Sequence, residues 1–474
     1  MMDAVIQTVE VPSHWVAEGE FRLNASFYSQ DVIAARLILE KASQKTEIVK
    51  LSGLVGVENI YMPALKITIP FSDYGEPYLT QSEVEFFLPK ARKKVDIRKL
   101  TEPDKWRVKN GYLLISQSGT IGRVTIATKY LEQFIISPNP IRVITDEKIR
   151  GYLYAFLSTW IGSALIKSPK FGITVDHILP HHLYDIPVPR IPGLEEEINQ
   201  KILKAHRLRE EAQELLLKAE EMIYSELGLP KIDEDNVEYF EGDKGKIVKS
   251  FELKASDLNL RLDASSHIPI LQQIEENLSK SEFEDMKFRE VIDKIFIPTR
   301  FKRPYVDDPS SGVAFLQGSH IPQIKPMDVK YLWSGTRNLK NILIKKDWVL
   351  MTRSGTVGRI GVVRSGWEDW AASEHVLRII IKPEIHSGYI AAFLSSPYGE
   401  YQIKGKIYGA VVDEIGERDT SLLEDINIIV PPKDIRDKIG NFVFEAYDKR
   451  DKSNQIEDKA IKMLERRLKE IAAG

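Results

Sequence analysis

The chain contains no cysteine. That excludes disulfides, cysteine zinc sites and a thiol nucleophile, and it fits a reducing compartment. No run approaches about 18 consecutive apolar residues, so no membrane-spanning helix is expected. The first residues, MMDAVIQTVEVPSHW, lack the basic-then-apolar order of a signal peptide, and a soluble, cytoplasmic protein is the expectation. An excess of one charge is also missing: 66 Lys+Arg stand against 69 Asp+Glu, a formal net charge of −3. The balance is uneven along the chain. Residues 1–193 carry +3, residues 194–242 carry −8, and residues 243–433 and 434–474 carry +1 each. Near-neutral blocks permit nucleic-acid binding without arguing for it; a strongly basic stripe would argue better.

What is present is a repeat. YLLISQSGTIGRVTIAT (112–128) is answered by WVLMTRSGTVGRIGVV (348–363). Other anchors keep the same order: FRLNASFY (21–28) with LRLDASSH (260–267), and IYMP with IFIP. GEPYLTQSEV (75–84) pairs with GVAFLQGSHI (312–321), and GYLYAFLS (151–158) with GYIAAFLS (388–395). GITVDHI (172–178) pairs with GAVVDEI (409–415), and DIPVPRIP (185–192) with DINIIVPP (425–432). The offset drifts only between 235 and 240 residues, so the chain holds one module twice.

Each module opens on an amphipathic stretch, DVIAARLILEKA (31–42) and IPILQQIEENLSK (268–280), with apolar residues at helical spacing. β-Branched runs follow: VKLSGLVGV, YLLIS, RVTIAT and FIIS, then WVLMT, RIGVV and VLRIII. The GYLYAFLSTWIGSALIK and GYIAAFLSSPYGEYQIK stretches are helical in period. The expected fold class is mixed α/β: two duplicated αβ domains, with two long helices pairing as an antiparallel coiled coil. The expected domains are 1–193 and 251–433, with spacer helices at 194–228 and 434–474 and an acidic linker at 229–250. The helix seams alternate three and four residues. They use Ala205, Leu208, Ala212, Leu215 and Ala219 on the first helix, and Ala446, Ile456, Ala460 and Met463 on the second. Thirty-four helical residues span roughly 50 Å.

Catalytic readings fare poorly. G-x-S-x-G, G-x-x-x-x-G-K-[ST] and G-x-G-x-x-G are all missing, and GDKGKIVKS (242–250) has the wrong spacing for a phosphate loop. No histidine sits at matching places in both modules to activate Ser118 or Ser354. Asp176, His177, His181 and His182 have chelating spacing, but VVDEIGERDT in the second module has no histidine, so no metal site and no cofactor is expected. SPNP (137–140) reads as a strand-end turn. A tandem αβ hydrolase or nuclease using Asp176 and Asp413 remains as an alternative, as does a coiled-coil adaptor without nucleic-acid binding.

The duplicated modules, the SGT-x-G-R phrases, the G-Y-[LI]-x-A-F-L-S helices and the matched long helices resemble the specificity subunit of type I restriction–modification enzymes. The resemblance covers nearly the whole chain; order and duplication carry it, not any single motif. It implies a non-catalytic subunit whose two target recognition domains each read half of a bipartite double-stranded DNA site. It implies that the helices set the spacing and dock two adenine-N6 methyltransferase subunits, and that motor–nuclease restriction subunits join the complex, with no membrane involved. A recognition subunit of another bipartite defence system is equally compatible. Divergent loops on a shared scaffold are where different sequences would be read. In module two these are Arg300, Lys302 and Arg303 in TRFKRPYVDDP (299–311), then Gln317, Ser319 and His320. In module one they are Lys66 in ALKITIPFSDY (64–74), then Gln81 and Ser82. Arg123 and Arg359 are candidates for phosphate contact, with a structural ion pair as the competing role.

Overall fold

The computed structural model describes residues 8, 10–18, 23, 25–65, 68–172, 174–232, 251–255, 258, 261–407, 414–416 and 420–473. The chain divides into two compact units. Unit 1 comprises Met1–Glu85, Pro89–Glu210 and Ser453–Gly474; unit 2 comprises Phe86–Leu88 and Glu211–Lys452.

Among the described residues, three sheets recur in each unit. In unit 1 an antiparallel sheet runs in the order Ile60–Tyr61, Ile141–Val143, Leu113–Ile115, Val124–Ile126. In unit 2 the order is Ile292–Phe296, Val376–Ile381, Val349–Thr352, Ile360–Val362. The cross-strand pairs Leu113–Val143 and Val349–Ile379 differ by 236 residues on both strands, so the register itself is repeated. A second sheet joins Lys93–Val95, Phe71–Leu79 and Ile135–Ile136 in unit 1. Its counterpart in unit 2 joins Tyr305–Val306, Lys330–Trp333, Gly312–Leu316 and Ala371–Ala372. In both, the last pairing is parallel. Two-stranded ladders, Glu47–Lys50 with Pro187–Arg190 and Glu284–Lys287 with Asn427–Val430, complete the set. The central strands are apolar on both faces because helices cover one side and the second sheet lies near the other; Leu113, Ile115, Val349 and Leu350 are fully buried.

The G-Y-[LI]-x-A-F-L-S motif is structural. It lies on the helices Glu147–Ser158 and Ser387–Ser395. A Cβ on Gly151 would stand 2.6 Å from the Asn199 carbonyl oxygen, and one on Gly388 2.4 Å from that of Gly440. Only glycine lets these helices pass so close to the long ones. The following tyrosine hydroxyls donate to strand carbonyls, Tyr152 to Pro189 and Tyr389 to Ile429. The helical stretch then breaks and restarts as Trp160–Lys167 and Pro397–Lys404. The Thr159 hydroxyl caps the new helix by accepting from the Gly162 amide (3.0 Å).

The run VKLSGLVGV departs from expectation. Only its first two residues are strand; Leu51–Val55 is a helix. Leu51, Leu54 and Val55 already have helical spacing, and Gly56 at φ +86° ends the turn.

The long helices are Leu194–Ser225 and Lys433–Ala473, and each belongs partly to both units. Ala205, Ala212, Leu215, Ala219, Ala446 and Ala460 are buried, while Leu208, Ile456 and Met463 are half-buried. In unit 2 the helices run antiparallel: Lys449 pairs with Glu211 (2.7 Å) and Lys438 with Glu226 (3.1 Å). In unit 1 the helix interface ends on a polar group. Arg209 pairs with Glu457 (2.5 Å), both buried, and also reaches Ser453 and Asn454. Removing one partner of such a pair costs about 3–5 kcal/mol, because the other charge is left buried.

Candidate nucleic-acid interface

The SGT-x-G-R phrase is a tight turn held from below by the hydroxyl that precedes it. Ser116 Oγ donates to the Thr120 carbonyl (2.5 Å) and accepts from the Arg123 amide (2.9 Å). Thr352 Oγ1 does the same with the Thr356 carbonyl (2.5 Å) and the Arg359 amide (2.9 Å). Gly119, Gly122, Gly355 and Gly358 have φ between +70° and +84°, a conformation other residues adopt at a cost. The repeated glycines therefore shape the backbone.

A second loop lies beside the turn, SPNP (137–140) in unit 1 and SEHV (373–376) in unit 2. A fully buried arginine organises each one. Arg142 donates to the carbonyls of Ile136, Ser137, Pro138 and Pro140, at 2.5–3.2 Å. Arg378, at the equivalent place, donates to those of Ala372, Ser373 and Val376. No carboxylate pairs with either guanidinium in these bonds; carbonyl dipoles replace the lost water. Burial pulls both arginines below their ordinary value.

Further segments meet the turn and loop in each unit. In unit 1 the Gln81 side chain accepts from the Gln117 amide and donates to the Ser118 carbonyl (2.9 Å each). The Ile178 amide donates to the Gln117 carbonyl (3.0 Å), and Gln117 Nε2 lies 3.3 Å from His177 Nδ1. In unit 2 the Ile415 amide donates to the Arg353 carbonyl (2.8 Å), and the Arg353 amide donates to the His375 carbonyl (3.1 Å). The Arg353 guanidinium reaches the Glu374 carbonyl (2.7 Å) and the Glu414 carboxylate. Ser354 Oγ and His375 Nδ1 are 2.7 Å apart, and His375 Nε2 is 3.8 Å from Glu374. Burial resists ionisation of Glu374, but the hydrogen bond from Arg303, a backbone hydrogen bond and the charges of Arg303 and His375 together hold the carboxyl below its usual range.

The sequence-selected residues occupy different settings. Arg303 is committed to Glu374 (2.5 Å) and Arg123 to Glu85 (2.8 Å). Arg359 is half-buried behind its turn. His320 is buried, its Nδ1 accepting from the Gln317 amide (3.2 Å); Gln317 is half-buried and Ser319 exposed. Gln81 is half-buried in the cluster, and exposed Ser82 lies 3.3 Å from the Thr80 hydroxyl. Arg300 and Lys302 are exposed. Lys66 and Asp413 lie outside the described residues.

The chelating pattern does not assemble. Asp176 is held by Lys170 (2.6 Å), and His182 Nδ1 accepts from the Leu179 amide (3.1 Å). Among the described residues no three such side chains are placed to hold a metal ion. No described helix is long and apolar enough to cross a membrane.

Sequence reasoning missed Arg142, Arg378, Arg353, His375 and Glu374. The signal existed for the first two: an arginine inside an apolar strand, repeated 236 residues on.

Residues 44–207 match the family described as the type I restriction modification DNA specificity domain. That match bears out the resemblance read from the sequence and covers the strands, turn and loops of the unit 1 cluster. Among solved structures, the chain is similar to the S subunit of a type I restriction–modification system from M. genitalium. The identity is 13%, with 90% of this chain and 96% of that chain covered, at a TM-score of 0.32. It is also similar to the HsdS subunit from Thermoanaerobacter tengcongensis, at 13% identity, 90% and 95% coverage and a TM-score of 0.28. No curated protein matches it by sequence.

Proposed function

We propose that the chain is the non-catalytic DNA-recognition subunit of a type I restriction–modification complex. Each unit reads half of a bipartite double-stranded site with its converging loops. The long helices fix the gap between the halves and dock two adenine-N6 methyltransferase subunits, and motor–nuclease subunits complete the assembly. The observation that carries this reading is the cluster built twice on one backbone plan, inside the specificity-domain match in unit 1, with different side chains presented each time. A catalytic pair would be kept in both copies, yet the partner of Ser354 is His375, whereas the equivalent of His375 in unit 1 is Asn139.

The test is selection from random duplex DNA by the full chain together with its co-expressed methyltransferase, followed by sequencing. Two enriched blocks at a fixed gap are expected. A single contiguous block, or no enrichment, would sink the two-reader proposal.

A further inference from the structure

The second sheet of each unit carries a feature that core packing does not require. In unit 1, Lys93 Nζ sits 4.8 Å from the centre of the Phe71 ring. In unit 2, Lys330 Nζ sits 5.0 Å from the centre of the Tyr305 ring. The two pairs are equivalent by register: Phe71 lies opposite Val95 and Tyr305 opposite Leu332, each two residues past the lysine. Both rings rest against a buried aromatic of the same sheet, Tyr78 at 5.3 Å and Phe315 at 6.0 Å. Both are about two-fifths exposed, and both lysines are exposed. Tyr74, at 96% exposure, and Trp333, at 51%, extend the aromatic surface.

Charge gathers at the same places. KARKKVDIRK (90–99) holds six basic residues and one acidic, and 325–346 again holds six basic and one acidic. The strands of this sheet ending at Leu79 and Leu316 reach the clusters: Gln81 follows Leu79 by two residues, and the Leu316 carbonyl accepts from the Ser373 amide of the unit 2 loop (2.9 Å). An exposed aromatic beside a lysine on a basic sheet suits a polyanion with apolar faces along its backbone. Duplex DNA supplies both, phosphate oxygens and deoxyribose rings, while its bases remain stacked and unavailable to the ring.

We infer that Phe71 with Lys93, and Tyr305 with Lys330, are two equivalent DNA-backbone contacts, the ammonium taking a phosphate and the ring packing on a sugar. Such contacts position each reader and add no sequence preference of their own. The inference rests on the DNA-recognition reading.

The test measures binding of the full chain to two labelled duplexes, one carrying the selected motif and one scrambled, across a salt series. Lys93→Gln and Lys330→Gln should each weaken both duplexes alike, several-fold, and flatten the slope of log affinity against log salt by about 0.9. Phe71→Ser and Tyr305→Ser should weaken both duplexes and leave the slope unchanged. Wild-type affinity and slope in the lysine variants would overturn the inference while the selected motif still stands. So would a changed motif, which would make these residues base readers. A wild-type chain that selects no motif and binds neither duplex removes the recognition reading and the inference with it.

Discussion

Units 1 and 2 present different chemistry from the same backbone. At equivalent places Gln117 corresponds to Arg353, Pro138 to Glu374, Asn139 to His375 and His177 to Glu414. Beneath them the supports are interchangeable: Ser116 and Thr352 under the turn, Arg142 and Arg378 under the loop. The supports bind backbone atoms, which every residue has, so the side chains above them are free to differ. Duplication of this kind separates holding a loop from choosing what the loop says.

The largest effect should follow from removing a support. Arg142→Met leaves four carbonyls without their donor, and Arg378→Met leaves three. At about 1–3 kcal/mol for each buried group left unsatisfied, several kcal/mol is expected even after relaxation. Lysine should not rescue, since one ammonium cannot reproduce a planar fork. Urea unfolding would check this: each substitution should lower the midpoint of its own unit only, by similar amounts. A large difference between the two would show that the supports are not equivalent.

This contrast explains what was legible beforehand. The repeat was readable because its anchors are backbone-determined: glycines at positive φ, a glycine at a helix crossing, hydroxyls under a turn. Strands and long helices followed from period. VKLSGLVGV misled because five apolar residues in nine fit either period, and docking of Leu51 beneath Ile186 decides for helix. The cluster was only partly readable, because its key bonds join residues 21 to 71 positions apart, such as Ser354 to His375 and Arg303 to Glu374. The basic stretch 90–99 is invisible in the near-neutral total of residues 1–193.

A smaller difference between the units should appear in acid. His206, on the first long helix in unit 1, is buried with Nε2 2.8 Å from Asn110 Oδ1. Burial, with Arg209, Arg150 and Arg207 nearby, draws its pKa from 6.5 down to about 3; Glu210, 3.8 Å away, does not prevent this. The folded state therefore binds fewer protons than the unfolded state. The stabilisation is complete above about pH 6.5 and is lost as pH falls toward 3, by up to about 3 kcal/mol near pH 4. In unit 2, His386 is also drawn down by burial, but the Asn441 hydrogen bond and the carboxylates of Asp437 and Asp347 oppose the shift. Unit 1 should thus unfold first on acidification, and His206→Gln should narrow the gap. Equal acid sensitivity of wild type and variant would remove His206 as the cause.

The finest comparison exchanges single readers. Asn139 and His375 occupy the same place over interchangeable supports, so Asn139→His and His375→Asn should leave both units folded. If the clusters read DNA, each exchange should alter preference at one position of one half-site and leave the other half unchanged. A good base contact is worth about 1–3 kcal/mol, so a five- to hundredfold change in preference is the expected scale. His375 also sits 2.7 Å from Ser354 Oγ, which fixes its ring. Ser354→Ala should therefore blur the same position that His375→Asn changes. If the two substitutions act on different positions, or on both halves of the site, the pair does not read a base together, and the cluster's role shrinks to shaping the loop.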